Sequence, residues 1–73
     1  MTMLLISQNK RHIIDSQRIT SIHLLDDECD TVIIAHTENS KYLFGRYPDE
    51  DSAKEQIVDL ACAWGLQKAF AFK

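Results

Sequence analysis

The sequence predicts an α+β domain: a meandering antiparallel sheet of four to five strands, with one C-terminal amphipathic helix on one face. Three observations carry that expectation. Short runs rich in Ile, Val, Thr and aromatic residues recur up to Tyr47, separated by polar breaks. One later stretch, Ala53 to Trp64, has apolar residues at helical spacing. Strands therefore come first and the helix after them, an order that places helix and antiparallel sheet in separate layers. The chain has 73 residues, so residues 1–73 form one domain.

The elements follow in order. Met3 to Ser7 is a short apolar run suited to a strand, and Gln8-Asn9-Lys10 is a turn. His12-Ile13-Ile14 returns as a brief second strand, and Asp15-Ser16-Gln17 breaks it. Arg18 to Leu25 is the next strand. Asp26 to Asp30 turns, because Asp competes for backbone hydrogen bonds and tolerates turn geometry. Thr31 to Thr37 has the strongest strand character, centred on Val32, Ile33 and Ile34. After Glu38-Asn39-Ser40, Lys41 to Tyr47 is the last strand before the helix.

The helix has two candidate starts. Asp49 suits an N-cap with Glu50 and Asp51 in the first turn, where the dipole favours negative charge. Ser52 with Glu55 fits a capping box. Ala53, Ile57, Leu60, Ala61 and Trp64 form the stripe, read as a core-facing anchor. Gly65 fits the left-handed position just past the end. Beyond it, residues 68–72 are read as a final short strand, a helical extension or a tail.

The alternation assigns faces. With Asn39-Ser40 as a two-residue loop, His36 lies opposite Leu43 and Ile34 opposite Gly45. One face then carries Val32, Ile34, Leu43 and Tyr47, joined by Ile22 and Leu24, with Gly45 letting the helix approach. The other carries Ile33, Ala35, Tyr42 and Phe44, with Leu25 alongside, and is too apolar to be solvated. The N-terminal hairpin, the Phe70/Phe72 segment or another chain must cover it. A register error would swap the two faces without removing the apolar excess.

Composition excludes several classes. The net charge is −3, and Lys10 with Arg11 is the single basic pair, so a nucleic-acid surface is not expected. An acidic DNA mimic is a third reading behind the two given below. The 45% hydrophobic fraction argues against disorder. No apolar run approaches the roughly 20 residues of a membrane span, and no secretory signal pattern is present. Cys29 and Cys62 read as free thiols of a cytoplasmic protein, with Cys62 inert beside the helix stripe.

The chemistry-bearing residues are sparse. His12, His23 and His36 match no zinc spacing. His23, Cys29 and His36 flank one hairpin, but its tip is several residues away at about 3.3 Å per residue. No metal and no cofactor is expected. The acidic turn lacks the glycine of a calcium loop. No serine sits in a nucleophile elbow, and the two glycines, Gly45 and Gly65, make no phosphate loop. The expectation is not an enzyme.

Leu4-Leu5-Ile6-Ser7-Gln8-Asn9-Lys10 resembles the opening of small uncharacterised proteins of Gram-positive bacteria and their phages. Phe44-Gly45-Arg46-Tyr47 resembles them too, with the acidic segment, Ala53-Lys54 and the apolar helix that follow. The Cys29 turn and the Phe70/Phe72 tail depart from the pattern. The resemblance implies strands followed by a helix and a mobile-element setting, and it carries over no catalytic residue.

Together these features suggest a non-enzymatic protein-interaction module, a phage or prophage accessory factor. It would act through an apolar sheet face at Ile33, Tyr42, Phe44 and Arg46, with a second copy (a homodimer) or a host protein as partner. The alternative is a protein that sequesters a small ligand or nucleotide in a pocket between protomers, lined by His23, His36 and Tyr42.

Overall fold

Where apolar residues alternate the chain runs as strands, and where the alternation breaks it turns. The computed structural model describes residues 3–66 and 69–73. Lys68, in the expected 68–72 segment, lies outside them, as do Met1 and Thr2. The elements are β1 (Leu4–Ile6), β2 (Ile13–Asp15), a 3-10 turn (Ser16–Arg18), β3 (Ile19–Asp27), β4 (Asp30–Thr37), β5 (Lys41–Tyr47), α1 (Glu50–Leu66) and β6 (Phe70–Ala71).

The fold is α+β with one long helix packed against a sheet. Its strands form two three-stranded sheets in place of one meander. β3-β4-β5 is the antiparallel meander, and β2-β1-β6 is a smaller sheet in which β1 pairs antiparallel with β2 and parallel with β6.

The helix starts where its acids suggest. The Asp49 carboxylate accepts the Ser52 N–H at 2.7 Å, so Asp49 is the cap, and the Ser52/Glu55 start is not used. That bond holds the Asp49 carboxyl below the ordinary aspartate range. At the other end, α1 runs through Gly65 to Leu66 with no left-handed glycine, so Gly65 is not the terminator. The stripe buries Ala53 and Leu60, with Ile57, Ala63 and Trp64 packed partly against the core. Ala61 and Cys62 lie outside it and are exposed.

The β4–β5 hairpin decides which face the helix covers. Its loop is Glu38-Asn39, one position earlier than the residues suggested: the Thr37 N–H donates to the Ser40 carbonyl at 2.8 Å, and Ser40 N–H donates to Thr37 Oγ1 at 3.2 Å. His36 therefore pairs with Lys41 and Ile34 with Leu43. The register then jumps, Ile33 pairing with Gly45, which leaves Phe44 as the extra residue of a β-bulge. The extra residue resets the alternation. Phe44 and Tyr47 join Ile33 and Ala35 in the core, and Tyr42 packs partly against it.

The two faces of β4 are thus exchanged, while Tyr47, Ile22 and Leu24 stay on the helix side as expected. Ile33, Ala35, Phe44 and Tyr47 lie under α1, closed by Met3 and Leu5 from the N-terminal hairpin and by Phe72. Phe72 meets the Phe44 ring edge to face at 5.3 Å. Its N–H donates to the Ile6 carbonyl at 2.9 Å. Gln8 ties the small sheet to β5 beside the bulge: its N–H donates to the Phe44 carbonyl at 2.7 Å, and its Oε1 accepts the Arg46 N–H at 2.9 Å.

Gly45 serves a different neighbour from the one expected. A Cβ there would lie 2.6 Å from the Tyr47 hydroxyl oxygen and 2.7 Å from a ring carbon, so the helix is not what needs the space. The Tyr47 ring folds back along its own strand and is held in the core. Gly45→Ala should therefore destabilise by about 1–3 kcal/mol through overpacking. Urea titration would check this, and the cost should shrink in a Tyr47→Leu background, where the ring no longer fills that space.

Candidate interaction surface

Strand pairing puts partnered residues on one face, so the outer face of β3-β4-β5 can be built row by row. Leu25 pairs with Val32 and Val32 with Arg46. His23 pairs with Ile34 and Ile34 with Leu43. Ser21 pairs with His36 and His36 with Lys41. Among the described residues no helix lies on this side, because α1 packs on the opposite, inner face of β4 and β5. Val32 is 5% exposed, while Leu25 is 51% and Leu43 39% exposed. The centre of the face is an apolar strip of Leu25, Val32, Ile34 and Leu43.

The two ends of the strip are polar and differ. At one, Arg46 bridges two carboxylates, Nη2 to Asp27 Oδ2 at 2.8 Å and Nη1 to Asp30 Oδ2 at 3.1 Å. The hydrogen bonds to Asp27 and then Asp30 raise the guanidinium above its ordinary pKa. This clamp ties β5 to the acidic β3–β4 turn, where Glu28 adopts φ 57°. At the other end, the His23 and His36 rings meet edge to face at 5.0 Å, and Ser21 Oγ lies 3.0 Å from His23 Nε2.

Of the six residues expected to bind, three meet here: His23, His36 and Arg46. Ile33 and Phe44 are 0% and 1% exposed and belong to the core, a placement set by the bulge and the hairpin loop. Tyr42 is half-buried on the inner side, its ring 5.2 Å from that of His12. Within one chain, Tyr42 therefore does not meet His23 and His36. The surface instead presents Val32, Ile34 and Leu43, which the sequence assigned to the helix. Two signals pointed to them. A glycine inside an otherwise unbroken strand pattern marks a bulge, and Thr37 and Ser40 are able to close a two-residue loop between them.

Two grooves accompany the face. One, about 980 Å³, runs between the β1–β2 and β4–β5 hairpins past Arg11, His12, Asp15, Arg18, Glu38 and Tyr42. Its two arginines are offset by its two acids. The other, about 470 Å³, is apolar and lies between β3 and the helix, lined by Ile22, Leu24, Ile57, Leu60 and Trp64. Among the described residues, no group of three or more His, Cys, Asp or Glu could hold a metal ion. No helix of the described residues is long and apolar enough to cross a membrane. The Tyr47 hydroxyl is buried with no hydrogen-bond partner among the described residues, and burial pushes its pKa up.

The fold and this face define a small α+β domain whose sheet is covered on one side. No protein-family model matches the chain, and neither a curated protein nor a solved structure matches it.

Proposed function

We propose that this is a non-enzymatic protein-interaction module whose contact surface is the outer face of β3-β4-β5. One observation supports the reading most: Leu25 and Leu43 stand exposed on a strip that continues into Val32 and Ile34, on the side of the sheet opposite α1. Contiguous apolar surface of this kind is characteristic of interaction sites. Arg46, His23 and His36 then form the polar rim. The partner is a protein with a matching apolar patch. The resemblance to small proteins of Gram-positive bacteria and their phages supplies the setting, an accessory factor in the cytoplasm.

Scale bears on how tightly it binds. Three strands by about seven residues measure roughly 14 by 23 Å at ordinary strand spacings. A stable interface takes about 800 Å² from each partner. One copy alone thus suits a transient partner.

The test is affinity capture from a lysate of the source cells with tagged wild type and Leu43→Asp side by side. Leu43 is exposed, so circular dichroism and thermal melting should match the wild type. A protein held by the wild type should be lost by the variant, since a central hot-spot residue is worth about 2 kcal/mol or more. Equal capture by both, or no capture by the wild type, overturns the reading.

A further inference from the structure

The edges of the larger sheet are treated unequally. The β5 edge is closed by Gln8, bonded to Phe44 and Arg46. The β3 edge is open: β3 pairs with β4 alone, and among the described residues it makes no other backbone hydrogen bond. At nine residues it is the longest strand, and it contains neither proline nor lysine. Natural sheets usually blunt such an edge, because its free N–H and C=O groups template another strand.

A second observation falls on the same strand. The helix packs over β4 and β5, leaving the inner side of β3 partly bare. Ile22 and Leu24 there are half-buried and open into the apolar groove against Ile57, Leu60 and Trp64. A strand added at this edge would find backbone partners and a place for alternate apolar side chains together, which is the arrangement of β-augmentation.

A third observation selects the strand that fits. β3 is electrically polarised, with Arg18 just before it and Asp26, Asp27 and Glu28 at its other end. Asp27 is occupied by Arg46, whereas Asp26 and Glu28 make no ion pair among the described residues. An antiparallel copy of the same strand places each basic end against an acidic one. Full overlap of Ile19–Asp27 puts the two-fold axis at His23. Residues equidistant from His23 then face each other: Ile22 meets Leu24 of the second copy on the groove side, Thr20 meets Asp26, and Arg18 meets Glu28.

We infer that β3 pairs antiparallel with β3 of a second copy of this chain, joining two three-stranded sheets into one of six strands. The pairing rests on the edge, the groove and the charges of β3, and not on the outer face. Where the outer-face reading also holds, dimerisation doubles the width of that strip and brings it near the area of a stable interface.

The experiment uses cysteine as a distance probe, in a chain whose exposed Cys29 and Cys62 are both changed to serine. Directly opposed residues of an antiparallel pair have Cα atoms about 4.5–5.5 Å apart, within the span of a disulfide. Analytical ultracentrifugation should give a mass of twice 8.4 kDa. His23→Cys should cross-link to a covalent dimer under mild oxidation, while Leu43→Cys should not. His23→Lys, which sets two like charges opposite each other, should weaken association about twofold to fivefold, with circular dichroism unchanged. A monomer at the highest soluble concentration, or a dimer that His23→Cys fails to trap, overturns the inference. So does cross-linking through Leu43→Cys, which would instead mark self-association through the outer face and leave the preceding proposal standing.

Discussion

Phe72→Ala should cost about 3–5 kcal/mol, as full truncation of a core aromatic does. A domain of 73 residues holds only about 4–11 kcal/mol in total at the usual 0.05–0.15 per residue. The substitution therefore removes much or all of the stability. The reason lies in what the ring does. Phe72 is fully buried, stacks edge to face on both Phe44 and Phe70, and closes the core where the two sheets meet. Leu5 and Met3 supply the rest of that wall and cannot shift to fill the space, being held by the β1–β2 pairing and by Ser16 N–H donating to the Met3 carbonyl at 2.9 Å. Urea denaturation followed by circular dichroism is the measurement. A loss below about 0.5 kcal/mol, the size of an ordinary surface change, would mean that the tail does not seal the core.

Phe44→Asp should abolish folding outright. The sequence places Phe44 on a contact face, where a carboxylate would break only a partner contact. In the folded chain it sets a carboxylate at a position 1% exposed, among the apolar side chains of the core. An unpaired buried charge costs several kcal/mol, comparable with everything that holds the domain together. The variant should show an unfolded spectrum at neutral pH. A cooperative thermal transition retained by Phe44→Asp would contradict the core placement. For this reason Leu43, its neighbour, is the position at which to probe binding.

Neighbours with opposite fates show what was legible in the sequence. Strand and helix positions were readable nearly throughout, because they depend on local chemistry. Lys41 to Tyr47 matches β5 residue for residue, and Asp49 caps the helix as its carboxylate suggests. Faces were not readable to the same degree, because a face depends on counting. One residue of difference in the Glu38-Asn39 loop and one extra residue at Phe44 moved Ile33 and Phe44 from a supposed contact surface into the core. They also moved Val32, Ile34 and Leu43 to the outside. The apolar excess survived the exchange: both faces of β4 are rich in apolar side chains, so whichever one the helix takes, the other is left apolar. The tail shows a different limit. Phe70 and Phe72 alternate with alanine, but nothing local names their partner. That partner is β1, with Leu5 beside Phe70. A pairing over so long a separation has no signature in nearby residues.

The same pairing governs the order in which the molecule assembles. The β3–β4 and β4–β5 hairpins close loops of a few residues, whereas Leu5 must find a strand some sixty-five positions further along. Non-local contacts of this kind carry the largest loop-closure entropy and form late. Until they form, the side of Phe44 that Phe72 will cover stays open to water. A chain whose meander forms before its tail docks exposes an unsealed aromatic core and the unpaired β3 edge together. This is the combination most prone to aggregation. Concentration during refolding, more than temperature, should then decide the yield of native protein.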